Sequence, residues 1–169
     1  MAAIKRIFAY EIIDSRSFPT IEGQLLLDNG MVVTASVPAG TSIGKYEAIE
    51  LRDADQNRFN GMGVLKAISY VNDLLGPKLV GVSPTKQAEI DLWLKKADGT
   101  PNKSILGGNT TLVISILLTK AAAALENAPL FKYVNTLYKN IFKSEIKLER
   151  IPSPLFNIIN GGKHANNSL

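Results

Sequence analysis

Two short stretches hold the residue types from which a site could be built. Val37-Pro-Ala-Gly-Thr-Ser-Ile-Gly44 sets two hydroxyl side chains between glycines, and Tyr46-Glu-Ala-Ile-Glu-Leu-Arg-Asp53 follows with three carboxylates around one arginine. Gly40 and Gly44 on either side of Thr41 and Ser42 make a loop that can move, and its carbonyls and hydroxyls suit a hard cation such as Mg²⁺. On composition alone an ordinary glycine-rich turn after a strand is the stronger reading. Glu47, Glu50 and Asp53 around Arg52 read as a solvated or loop-anchoring network. The second stretch is Asn160-Gly-Gly-Lys-His164. His164 is the single histidine of the chain, which rules out a histidine-cluster metal site or a two-histidine mechanism within these 169 residues. In a glycine turn, with an ordinary pKa of about 6.5, it either meets an anionic substrate or stands exposed. There is no Walker-type loop, dinucleotide glycine fingerprint or nucleophile elbow. From the residues alone the function stays open.

Composition narrows the classes. The net charge is +4 and the sequence pI about 9.3. The lysines and arginines are scattered, with no run longer than Lys95-Lys96, which speaks against nucleic-acid binding. The absence of cysteine excludes a disulfide framework, a thiol nucleophile and any thiolate-held metal, and it fits a reducing compartment. The first residues lack the apolar core of a signal peptide. The most apolar stretch, Thr110 to Leu125, is interrupted by Lys120 and reads as a buried core helix rather than a membrane span. The expectation is a soluble, cytoplasmic protein. At 169 residues and 46% hydrophobic, one domain with a real core is expected. A complete (β/α)₈ barrel, at about 250 residues, does not fit.

The elements that must position these stretches follow from periodicity. Residues 4–13 and 20–27 read as strands, the second with Ile21, Leu25 and Leu27 in one phase. Asp28-Asn29-Gly30 reads as a type I′ hairpin turn. The return strand puts Met31, Val33, Ala35 and Val37 on one face. A long aperiodic connection runs from Ala39 to Gly63. Helical stripes then follow. The first is Val64, Ile68, Val71 and Leu75, ended by Gly76-Pro77. The second is Ile90, Trp93, Leu94 and Ala97, with Ser83 as cap and Pro84 at the first turn. The third runs from Thr110 with Asn109 as cap, and the fourth follows Pro129 with Leu130, Val134, Leu137 and Ile141. Strands followed by helices predict an α+β fold: a three-stranded antiparallel meander and then four helices. The expected division is a domain over 1–140 and a linker with the start of a second domain over 141–169.

The two stretches, taken with the rest of the chain, resemble the enolases (phosphopyruvate hydratases). The series runs through Glu11-Ile-Ile-Asp14-Ser15-Arg16, Pro19-Thr20, Gly40, Ser42, Gly44, Tyr46-Glu47-Ala48 and Glu50-Leu51-Arg52-Asp53. It continues through Gly63-Val64-Leu65-Lys66-Ala67, Leu75-Gly76-Pro77, Asp98-Gly99-Thr100-Pro101-Asn102-Lys103 and Pro129-Leu130. It closes with Pro154-Leu155-Phe156-Asn157-Ile158-Ile159-Asn160-Gly161-Gly162 and His164-Ala165. Several positions depart from the family pattern: Ser17-Phe18, Ala39, Thr41, Ile43, Gly108, Thr110-Thr111 and Lys163.

The resemblance implies a glycolytic lyase that dehydrates 2-phosphoglycerate to phosphoenolpyruvate with Mg²⁺, as a cytoplasmic homodimer. In such enzymes a lysine base removes the proton beside the carboxylate while metal ions stabilise the charge that results. It implies that residues 40–44 are a lid loop, with Ser42 as a ligand of the second Mg²⁺ and a substrate contact. It gives His164 the role of a substrate-binding residue, and places Arg16 near the dimer interface. The family's acid, its lysine base and the carboxylates of the first Mg²⁺ all lie beyond His164. No catalytic residue is therefore assigned within this chain, and the 169 residues are expected to be inactive alone. The rival expectation is a non-catalytic binding or assembly module that keeps the same N-terminal domain.

Overall fold

The computed structural model describes residues 2–40, 44–144 and 146–159. Strands β1 (Ile4–Ile13), β2 (Pro19–Leu27) and β3 (Val32–Ser36) form one antiparallel sheet in the order β1-β2-β3. Four helical segments follow. Helix α1 covers residues 65–78, as α-helical Leu65–Ser69, π-helical Tyr70–Leu75 and a last turn Gly76–Lys78. Helices α2 (Gln87–Asp98), α3 (Gly108–Leu125) and α4 (Leu130–Phe142) complete the regular structure among the described residues. The meander followed by four helices is the α+β architecture that the alternation of periods predicts.

The core lies between the sheet and the helices. Ile21, Leu25 and Leu27 are fully buried, as their shared phase requires, and meet Val113, Ile114, Leu117 and Leu118 of α3. Among the described residues α3 is long and apolar enough to cross a membrane by length and composition. Val113, Ile114, Leu117 and Leu118 of that helix are fully buried, while Leu112 is exposed. Lys120, which interrupts the apolar run, donates from Nζ to the Thr34 carbonyl at 2.6 Å.

The β1 border of the sheet is occupied at two places by partners that are not strands. On β1, Asn72 of α1 accepts from the Ala9 amide at 2.7 Å and donates to the Ala9 carbonyl at 3.0 Å, so a side-chain amide takes the place of a neighbouring peptide. Ile4 exchanges bonds with Val82 and Gly81 at the other end of the same strand, at 2.9 and 2.8 Å. An edge otherwise open to pairing is thereby blocked.

Several local expectations are corrected. The hairpin is not a two-residue type I′ turn, because Asn29 does not take a positive φ. Gly30 alone does, at +86°, and its amide reaches the Leu27 carbonyl at 3.1 Å while Leu27 pairs with Met31 at 2.9 Å. That is the three-residue loop, a tight turn closed by a left-handed glycine. Gly76-Pro77 does not end α1 but lies within it. A Cβ on Gly76 would sit 2.8 Å from the Ile7 carbonyl and 2.7 Å from that of Val71, so glycine is there to bring the helix against β1. The wider π turn just before Pro77 relieves the carbonyl clash that proline causes inside an α-helix.

Ser83 caps no helix. Its hydroxyl bonds that of Thr85 in a preceding turn, and α2 starts at Gln87. On α2 the buried line is Ile90, Leu94 and Asp98, four residues apart, so Ala97 faces out. Asn109 lies inside α3 and bonds another segment. Helix α4 docks on Ala122 and Ala123 through Tyr133, with Leu137 packed beside it, and leaves Leu130, Val134 and Ile141 exposed.

Candidate functional site

Among its described residues the connection after β3 has no strand or helix until the short 3₁₀ turn Phe59–Gly61, yet it is tied down at close intervals. Leu51 is held like a strand residue. Its amide donates to Asn109 Oδ1 and its carbonyl accepts from Asn109 Nδ2, both at 3.0 Å. Ile49 donates to the Asn102 carbonyl and accepts from Gly108, both at 2.7 Å. Asp53 caps α1 from outside it, accepting the Leu65 and Lys66 amides at 2.9 and 2.8 Å. Glu11 of β1 accepts the neighbouring Val64 amide at 2.8 Å and is paired with Arg58. Burial opposes ionisation of Glu11, but the Arg58 pair and the Val64 amide outweigh it and hold its carboxyl below the usual range.

The glycine-rich stretch is anchored on both sides. Gly40 donates its amide to Glu50 Oε2 at 3.1 Å, and Gly44 donates to Glu47 Oε2 at 2.8 Å. Arg16 reaches from the β1–β2 turn to the Ala39 carbonyl. Asp14, 3.7 Å from that guanidinium, is held below the ordinary carboxylate range, first by the Phe18 amide and then by the Arg16 amide and charge. These anchors border a cleft of about 1000 Å³ between the connection and the facing parts of α2 and α3, lined among others by Val37, Glu50, Arg52, Leu94, Lys95 and Leu112.

Gly40 and Gly44 are thus each held by a glutamate carboxylate. Thr41, Ser42, Ile43 and His164 lie outside the described residues. Among the described residues no group of three or more histidines and carboxylates could hold a metal ion. Glu47 and Glu50, which flank the loop, already accept amide hydrogens. The described side chains thus do not fit a Mg²⁺ cage, and Ser42 is the one ligand that the resemblance adds. The hydrogen bonds of the site fix Ala39, Gly40 and Gly44. The resemblance implies only a place near the dimer interface for Arg16, and its bond to Ala39 could not be read from the sequence because a contact across 23 positions leaves no local periodicity.

Comparison with known proteins supplies the family. Residues 4–134 match the family described as "Enolase, N-terminal domain". The chain is 44% identical over 166 residues to the enolase of Ehrlichia canis (strain Jake), covering 98% of this chain and 37% of that protein. It is 46% identical over 166 residues to the enolase of Malacoplasma penetrans (strain HF-2), with 98% and 36% covered. It is 48% identical over 169 residues to the enolase of Mastigamoeba balamuthi, with 100% and 37% covered. The chain spans a little over one third of the length of these curated relatives. Across that span it carries the meander, the four helices and the anchored glycine loop, and it belongs to the enolase family.

Proposed function

We propose that this chain is the N-terminal part of a lyase that dehydrates 2-phosphoglycerate to phosphoenolpyruvate in glycolysis, in the cytoplasm and as a homodimer. The observation that supports this is identity of 44–48% to three enolases along nearly the whole chain, through both candidate stretches. In this reading residues 1–140 form the N-terminal domain and 141–169 lead into the next. Gly40, Thr41, Ser42 and Gly44 form the lid, Ser42 is a Mg²⁺ ligand and substrate contact, and His164 binds substrate. The remaining ligands and the proton-transfer groups belong to the rest of the protein.

The test compares two chains. The 169 residues joined to their downstream sequence should convert 2-phosphoglycerate with added Mg²⁺, and Ser42→Ala should lower the rate by about 10–100-fold, the range typical of losses at a metal centre's supporting groups. The 169 residues alone should show no turnover above their own Ser42→Ala background. Turnover by the short chain overturns its incompleteness. A longer chain that folds but does not turn over favours a non-catalytic binding or assembly module.

A further inference from the structure

The peptide group joining Ala39 to Gly40 is gripped at both of its polar atoms by charged side chains. Its carbonyl accepts from Arg16 Nη2, and its N–H donates to Glu50 Oε2 at 3.1 Å. Both side chains are braced in turn. Arg52 Nη2 holds the other Glu50 oxygen at 2.6 Å, while Arg52 Nη1 donates to the carbonyls of Pro19 and Met62, each at 2.7 Å. Arg16 lies beside Asp14, whose carboxylate accepts the Arg16 and Phe18 amides at 2.8 and 2.9 Å.

A peptide group turns as one plane, because its C–N bond has partial double-bond character. Rotating the Ala39–Gly40 plane swings carbonyl and amide in opposite directions, so both grips must fail together. Glycine at position 40 would otherwise allow that rotation cheaply. Hydrogen bonds to charged partners are the stronger kind. Two of them on one plane remove the freedom at the point where the chain leaves β3's extension.

We propose that Arg16 and Glu50 are positioning residues that clamp the Ala39–Gly40 peptide and fix the direction in which the chain leaves Gly40. The clamp stands on geometry alone. Its bearing on catalysis, through Ser42 two residues on, rests on the enolase reading.

The test is amide exchange at Gly40, read by NMR in the unsubstituted chain and in Arg16→Ala, Arg16→Lys and Glu50→Ala. Loss of a charged partner should speed Gly40 exchange by about 10-fold or more in both alanine variants. Arg16→Lys, which keeps a donor, should fall between. The Gly30 amide, bonded to the Leu27 carbonyl elsewhere, should not change. Arg16 is 46% exposed, so its removal keeps the test open even if Glu50→Ala fails to fold. Unchanged Gly40 exchange in Arg16→Ala overturns the clamp, as does a speed-up shared equally by Gly30. In the chain with its downstream sequence, Arg16→Ala should lower kcat more than it changes KM. Absence of turnover in the unsubstituted longer chain overturns the enolase reading and leaves the exchange result standing.

Discussion

Asp98 shows how one side chain can organise a loop that sequence marks only as a break. Its carboxylate is 2% exposed and accepts the amides of Leu106, Thr100 and Ile105 at 2.7, 3.0 and 3.2 Å, together with the Thr100 hydroxyl. Burial opposes the charge, but these donors outweigh it, and the carboxyl is held below the usual aspartate range. A folded-state value below the unfolded one means that the stabilisation is complete above the unfolded pKa. It is lost as pH falls through the folded value. Asp98→Asn should cost about 1.5–3 kcal/mol in urea unfolding at neutral pH, the scale of hydrogen bonds to a charged group. The loss should shrink in acid, and an equal loss at every pH would refute the charge as its source. Asp-Gly-Thr-Pro announces a turn through its residue types. That the aspartate turns inward is decided by amides up to eight residues away. Asn109 teaches the same lesson, since an asparagine before a helical run looks like a cap. Its amide can equally take both backbone groups of a distant residue, here Leu51.

At the scale of elements, period carried most of the information. The strand phases and the α1 stripe read correctly because burial on one face imposes them whatever the tertiary detail. Element ends did not read correctly, for identifiable reasons. Gly76-Pro77 has the composition of a helix stop, but the close approach of α1 to β1 selects the glycine and the π turn accommodates the proline. Gly76→Ala should therefore behave as overpacking against fixed backbone, costing about 1–3 kcal/mol. A lowered thermal midpoint with retained helical circular dichroism would show it. No loss of stability would mean that α1 can move off the strand. On α4, Tyr133 makes the buried contact, and of the expected stripe only Leu137 packs beside it.

For the molecule as a whole, the fold was legible and the site only in part. Composition pointed to Gly40 and Gly44 only as an ordinary turn, and the carboxylates and arginines that bond Ala39, Gly40 and Gly44 required the fold to bring them in. The described segment after α4 carries unusually bare apolar side chains, with Leu155 98% and Phe156 80% exposed. Together with Leu130, Val134 and Ile141 they form more apolar surface than an isolated domain usually shows. The 169-residue chain should self-associate with rising concentration and bind a hydrophobic fluorescent dye. Leu155→Ser with Phe156→Ser should reduce both, as seen by light scattering and dye titration, and an unchanged signal would place the sticky surface elsewhere.

The side-chain closure of the sheet gives the domain a handedness as a building block. With Asn72 standing in for a strand along β1, the meander cannot be extended on that side. A further strand would have to arrive beside β3, where the Lys120 ammonium already occupies the Thr34 carbonyl and would have to be displaced. Lengthening the sheet on either side would therefore cost bonds that Ala9 and Thr34 already make.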